Sequence, residues 1–145
     1  MGNRNSLLGT WKLKSHVVTT AQGERSTPYG ENPAGYLSYC ADGRMQVIGV
    51  AKGRVVPAGA TPPDHERVAL YDTMFAYAGT YSVEPGRVIH HVDVSWNEAW
   101  TGTDQARLFE VKGNTLTLTT RIADPVNGSE AHYVVVWEKV ASPLK

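Results

Sequence analysis

The ten residues from Arg87 to Trp96, R-V-I-H-H-V-D-V-S-W, alternate with period two. Val88, His90, Val92, Val94 and Trp96 fall on one face, and Ile89, His91, Asp93 and Ser95 on the other. Successive side chains of a strand point to opposite sides, so this pattern predicts a half-buried β-strand. A histidine stands in the middle of its apolar face. An unpaired polar group on a buried face is costly, so that imidazole must find a hydrogen bond or take part in chemistry. The same alternation recurs at Gly9–Val18, where Trp11, Leu13, Ser15 and Val17 oppose Thr10, Lys12, Lys14 and His16.

Fourteen glycines and eight prolines punctuate these runs and mark the turns between strands. Strands are predicted at Gly35–Cys40 and Arg44–Val50. A two-residue Asp42-Gly43 turn between them mixes polar and apolar residues on both faces. A three-residue Ala41-Asp42-Gly43 loop pairs Tyr39 with Met45 and Leu37 with Val47, gives one apolar face, and puts Gly43 where a positive φ is needed. A turn at Pro85-Gly86 joins Thr80–Glu84 to Arg87–Trp96, pairing Val83 with Val88 and Tyr81 with His90. One at Gly113-Asn114 joins Thr103–Lys112 to Thr115–Arg121, pairing Val111 with Leu116, Phe109 with Leu118 and Arg107 with Thr120. Ala131–Val140 is the last strand. Loops are expected at Thr19–Pro33, Lys52–Ala60, Asn97–Gly102 and Asp124–Ser129.

One helix interrupts the strands. Thr61-Pro62-Pro63-Asp64-His65-Glu66 offers an N-cap, a proline at the first helical position and acids in the first turn. The helix is predicted over 62–78, with Val68, Tyr71, Met74, Phe75 and Ala78 as an apolar stripe packed on the barrel like a lid, and Gly79 as its stop. Eight antiparallel strands in hairpin order, with this helix after the third, predict a mainly β, up-and-down barrel that closes its own edges. Its interior has room for side chains or one small ligand.

The 145 residues make one domain, with 14 basic and 14 acidic side chains and no basic stripe. Nothing points to nucleic acid or an anionic membrane, and no apolar run approaches the roughly 20 residues of a membrane span. The N-terminus lacks a signal-peptide hydrophobic region, so a cytoplasmic monomer or homodimer is expected. A single cysteine, Cys40, excludes an internal disulfide and a cysteine zinc site, and is read as a small, partly buried residue. No pair among the five histidines has helical i, i+4 spacing, and His90 and His91 diverge across the sheet, so no metal site is expected. No glycine-rich phosphate loop follows a strand into a helix, so no cofactor is expected.

The registers bring several polar side chains inward. His90 lies beside Tyr81, a pairing suited to acid/base work: an imidazole titrates near neutrality and a phenol donates a proton. Arg107 can bind a carboxylate or enolate through its planar fork, or instead pack on the tryptophan near the chain start. His90 can equally be a core histidine satisfied by a carbonyl or a tyrosine. Trp11, Ser15, Tyr39, Met45 and Val92 are expected on the ligand-facing wall, together with Gln105, Phe109, Leu118 and Tyr133. Trp96 and Trp100 rim one end, and the two long loops are candidates for the mouth. His91, Asp93 and Ser95 have the residue types of a nucleophilic triad, but same-face strand positions lie roughly 6.5–7 Å apart, too far for a direct hydrogen bond.

These segments also resemble a known family. The opening L-L-G-T-W-K-L carries the Gly-x-Trp of lipocalins and other calycins. The pieces P-Y-G-E-N-P-A-G-Y-L-S-Y, D-G-R-M, Y-A-G-T-Y-S-V, V-I-H-H-V-D-V-S, W-T-G-T-D-Q-A-R-L-F, L-T-L-T and V-V-W-E are similar to the lipocalin-like domain proteins of bacteria and fungi. The resemblance implies a small calycin-type barrel. Some members sit among natural-product biosynthetic enzymes, and related barrels include cofactor-free cyclases, isomerases and decarboxylases. Two readings follow. In one, His90, Tyr81 and Arg107 make a cofactor-free cyclase, isomerase or dehydratase acting on a small, mostly apolar molecule. In the other, the same pocket belongs to a non-catalytic small-molecule binding or carrier protein. Fold alone does not choose between them.

Overall fold

A computed structural model describes residues 3–123 and 128–144. The described strands are β1 (Gly9–Thr19), β2 (Arg25–Ser26), β3 (Ala34–Tyr39), β4 (Arg44–Val50), β5 (Met74–Glu84), β6 (Arg87–Ser95), β7 (Asp104–Lys112), β8 (Thr115–Ala123) and β9 (Glu130–Lys139). β1 and β3 to β9 pair antiparallel in chain order, and β1 pairs back with β9, closing an eight-stranded barrel. β2 is a two-residue strip on the end of β1, pairing Val18 with Ser26. Part of the Asp124–Ser129 loop, residues 124–127, lies outside the described residues, as does Lys145.

The three hairpin registers follow the turn chemistry. Tyr39 pairs with Met45 and Leu37 with Val47, and Gly43 takes φ +92°. Val83 pairs with Val88 and Tyr81 with His90 around Gly86 at φ +70°. Val111 pairs with Leu116 and Phe109 with Leu118; the ladder ends at Leu108–Thr119, one step short of Arg107–Thr120.

The helix differs from expectation. α2 spans only Asp64–Asp72, with Pro63 and not Thr61 as N-cap. Pro63 disfavours helical φ/ψ at Pro62, so the helix starts beyond both prolines. Counting β2, it follows the fourth strand. It buries no residue: Val68 is 57% exposed and Tyr71 45%. It is therefore no lid packed on the barrel through that stripe. Met74, Phe75 and Ala78 belong instead to β5, where Val50 pairs with Met74 and Gly49 with Phe75. Pairing with β4 overrides a helical pattern that the sequence leaves ambiguous. Gly79 lies inside this strand, not at a helix end.

A second helix, α1 (Arg4–Leu7), is capped by Asn3, whose side chain accepts from the Ser6 N–H. It puts Leu7 into the core, and the Leu7 carbonyl accepts from Trp11 Nε1 at 2.8 Å. Leu7, Trp11, Leu13, Met45, Val88 and Leu116 form the tightly packed part of the interior. The exposed Cys40, expected to be partly buried, is a free thiol at the β3–β4 turn.

Two bulges reset which side chains face inward. β1 gains a residue between Leu13, opposite Trp137, and Ser15, opposite Val136. The inward phase therefore passes from Trp11 and Leu13 to His16 and Val18. β6 gains one opposite the Ala78–Gly79 step of β5, and Val94, expected inside, is 59% exposed.

Candidate functional site

The barrel holds an internal cavity of about 460 Å³. Its wall is largely aromatic, with Tyr29, Phe75, Tyr77, Trp96, Trp100, Tyr133 and Trp137 among the lining residues. The rings form two groups: Trp96 to Trp100 and Tyr77 to Trp100 are each 5.5 Å between centroids, and His16 to Tyr29 and Tyr29 to Phe75 are each 5.0 Å. A concave, mostly apolar site with a few placed polar groups is the usual form of a small-molecule pocket.

His90 is 1% exposed at the floor of this cavity. Two tyrosines on other strands hold it. The Tyr39 hydroxyl is 2.6 Å from Nε2, and the Tyr77 hydroxyl is 2.7 Å from Nδ1. Burial, aided by the positive charge of Arg107 and by His91, pushes the His90 pKa down to about 3. The imidazole is neutral near pH 7. Burial also raises the pKa of both phenols, so each keeps its proton. A neutral imidazole offers one donor and one acceptor, so one tyrosine donates to it and the other accepts from it.

Arg107 lines the same cavity from β7. Its guanidinium lowers the Tyr77 pKa through its positive charge, against the larger effect of burial. No acidic residue lines the cavity among the described residues. Lys139, not Arg107, packs on Trp11, with Nζ 4.8 Å from the ring centroid. That disposes of the alternative in which Arg107 stacks on the first tryptophan.

A family model described as lipocalin-like domain matches residues 8–140. The chain belongs to the lipocalin-like domain family. A protein of Aspergillus oryzae named as a 4'-hydroxy-3'-methoxypropiophenone carrier protein is similar to it, 31% identical over 85 residues, covering 53% of this chain and 77% of the relative.

Within this lipocalin-like barrel the residues singled out from sequence divide by position. Trp96, Trp100, Gln105, Arg107, Leu118 and Tyr133 line the cavity together with His90. Tyr39 stands behind His90 and reaches the cavity only through it. Tyr81 faces inward, but its hydroxyl donates to the Cys40 carbonyl at 2.9 Å and not to His90. Trp11, Met45, Val92 and Phe109 are buried in core packing and do not line the cavity. Ser15 is displaced by the β1 bulge, and His16 takes the inward place. Of the two long loops, the first contributes Ser26, Pro28 and Tyr29 to the wall; the second contributes nothing.

Sequence reasoning missed Tyr77 and His16. Tyr77 was readable: Phe75, Tyr77, Gly79, Tyr81 and Val83 alternate and extend the predicted hairpin register backwards. For His16 there was no local signal, because the bulge is created by pairing with β9.

Outside the barrel, the His91 ring joins Ser82 Oγ to Nε2 at 2.9 Å and Asp104 Oδ1 to Nδ1 at 2.8 Å. The three come from β5, β6 and β7, and are unrelated to the His91–Asp93–Ser95 trio. They stand on the outer face, and none of them lines the cavity. This Ser–His–Asp line ties three neighbouring strands together, and such a line does not by itself make a hydrolase.

Proposed function

We propose that this lipocalin-like barrel binds a small, mostly apolar aromatic molecule in its cavity, as a carrier or binding protein of natural-product metabolism and not as an acid/base enzyme. The observation that carries this is the state of His90. Both ring nitrogens are already bonded to tyrosine hydroxyls, and its pKa near 3 leaves it without the acidic imidazolium proton at neutral pH and with little basicity to take one. Tyr81, the partner that proton transfer needed, is committed to a backbone carbonyl. The aromatic wall supplies stacking surface, and the carrier name of the fungal relative points the same way.

Titration with 4'-hydroxy-3'-methoxypropiophenone tests the reading. Trp96, Trp100 and Trp137 line the cavity, so tryptophan fluorescence reports occupancy. Saturable quenching is expected, with the ligand recovered unchanged by mass spectrometry and with binding weakened in Leu118→Trp, which narrows the cavity. Absence of saturable binding overturns the reading. A product whose formation requires His90 restores the catalytic one.

A further inference from the structure

We infer that the cavity recognises an anionic oxygen on its ligand, a carboxylate, phenolate or enolate oxygen seated between the Arg107 guanidinium and the Tyr77 hydroxyl. This rests on the binding reading above and adds the ligand's charge to it.

The first argument is charge. Arg107 is the only lysine, arginine or acidic side chain on the described cavity wall. It forms no ion pair among the described residues; its guanidinium donates to its neighbour's carbonyl, Ala106 O, at 3.1 Å, and its positive charge acts on the Tyr77 phenol. Arg107 is half-buried, and of the five N–H donors of a guanidinium only one has a protein acceptor among the described residues. An apolar cavity with a cation and no counter-charge is completed by an anion, and charge-assisted bonds are strong in such low-dielectric surroundings.

The second argument is the direction of the hydrogen bonds. The buried Tyr39 hydroxyl has His90 as its only hydrogen-bond partner among the described residues, so it must donate, or its own proton is orphaned. Nε2 is therefore the acceptor and Nδ1 carries the proton. Nδ1–H donates to Tyr77 Oη. Tyr77 then accepts from His90, whose Nδ1 has no lone pair left to take its proton. That proton is left for the ligand. His90 and Tyr39 act as positioning residues: they turn Tyr77 into a donor aimed at the cavity. The Trp137 indole N–H, also on the wall, has no partner either.

Two dyes sharing one skeleton test this: 8-anilinonaphthalene-1-sulfonate, which carries an anionic oxygen group, and N-phenyl-1-naphthylamine, which lacks it. The wild-type protein is expected to bind the sulfonate about tenfold or more tightly than the neutral dye. Arg107→Gln and Tyr77→Phe are expected to weaken the sulfonate's binding far more than the neutral dye's, so that most of the preference is lost. Gln105→Glu, two residues along the same strand face, gives Arg107 its missing carboxylate and is expected to do the same without removing the guanidinium. Nitrogen NMR of the labelled histidines should show His90 protonated at Nδ1 and bare at Nε2. Equal binding of the two dyes, parallel loss of both in the variants, or a proton on Nε2 overturns the inference while leaving the binding reading intact. If neither dye binds, both readings fall.

Discussion

His90 ties folding to pH. Its pKa falls from the ordinary 6.5 to about 3 in the folded barrel, burial being the largest cause. Between those values the unfolded chain binds a proton that the folded chain does not, so stability rises with pH across that window. The contribution is fully present above pH 6.5 and is lost as pH falls toward 3. At about 1.36 kcal/mol per unit it is on the order of 4–5 kcal/mol. His16, also lowered chiefly by burial, adds in the same direction. Urea unfolding at pH 7, 5.5 and 4 is expected to show a steep fall in stability, and His90→Gln a shallower one; an unchanged slope in that variant would place the acid sensitivity elsewhere. Tyr39→Phe leaves Nε2 without its donor and is expected to cost about 1–3 kcal/mol at pH 7 by the same measurement.

At the level of elements, the two bulges decide what the cavity contains. Gly79 lies opposite the β6 bulge, and a Cβ there would stand 1.9 Å from the His91 carbonyl oxygen. A backbone atom cannot swing aside as a side chain can. Gly79→Ala is therefore expected to destabilise by about 1–3 kcal/mol or more, the range of overpacked cores, and to disturb the His90 NMR signals. At Gly49 the nearest atoms belong to the Phe75 ring, which can rotate, so Gly49→Ala is expected to cost less. Val68→Ser on α2 is expected to change stability by no more than about 0.5 kcal/mol, because the helix buries nothing. These positions also mark the limits of the sequence. Gly43, Gly86 and Gly113 made the hairpin registers legible, since each turn fixes its own pairing. The presence of a helix after Thr61 was legible, though it starts two residues later than the prolines suggest; Y-D-T-M-F-A-Y-A satisfies both a 3.6 and a 2.0 period, and only pairing with β4 decides between them. The bulges leave no trace in the pattern, so the alternation predicts Ser15 where His16 stands and Val94 inside.

The molecule as a whole divides its interior in two, and β8 crosses the division. Leu116 and Leu118 share one face of that strand, two residues apart. Leu116 is 0% exposed, packed with Leu7, Trp11 and Val88 at the filled end of the barrel. Leu118 borders the cavity. Truncating Leu116 opens a void among atoms that cannot follow it, and Leu116→Ala is expected to cost about 2–5 kcal/mol. Leu118 already lacks neighbours on its cavity side, so its methyl groups make fewer contacts to lose. Leu118→Ala is expected to cost less and to widen the existing cavity. Affinity should respond in the opposite order: dye binding unchanged in Leu116→Ala and altered in Leu118→Ala. Urea unfolding and fluorescence titration of the two variants measure both quantities. Equal stability costs with equal affinity changes would mean that the interior is one continuous packed core, and that the cavity is not held apart from the part of the barrel that carries its stability.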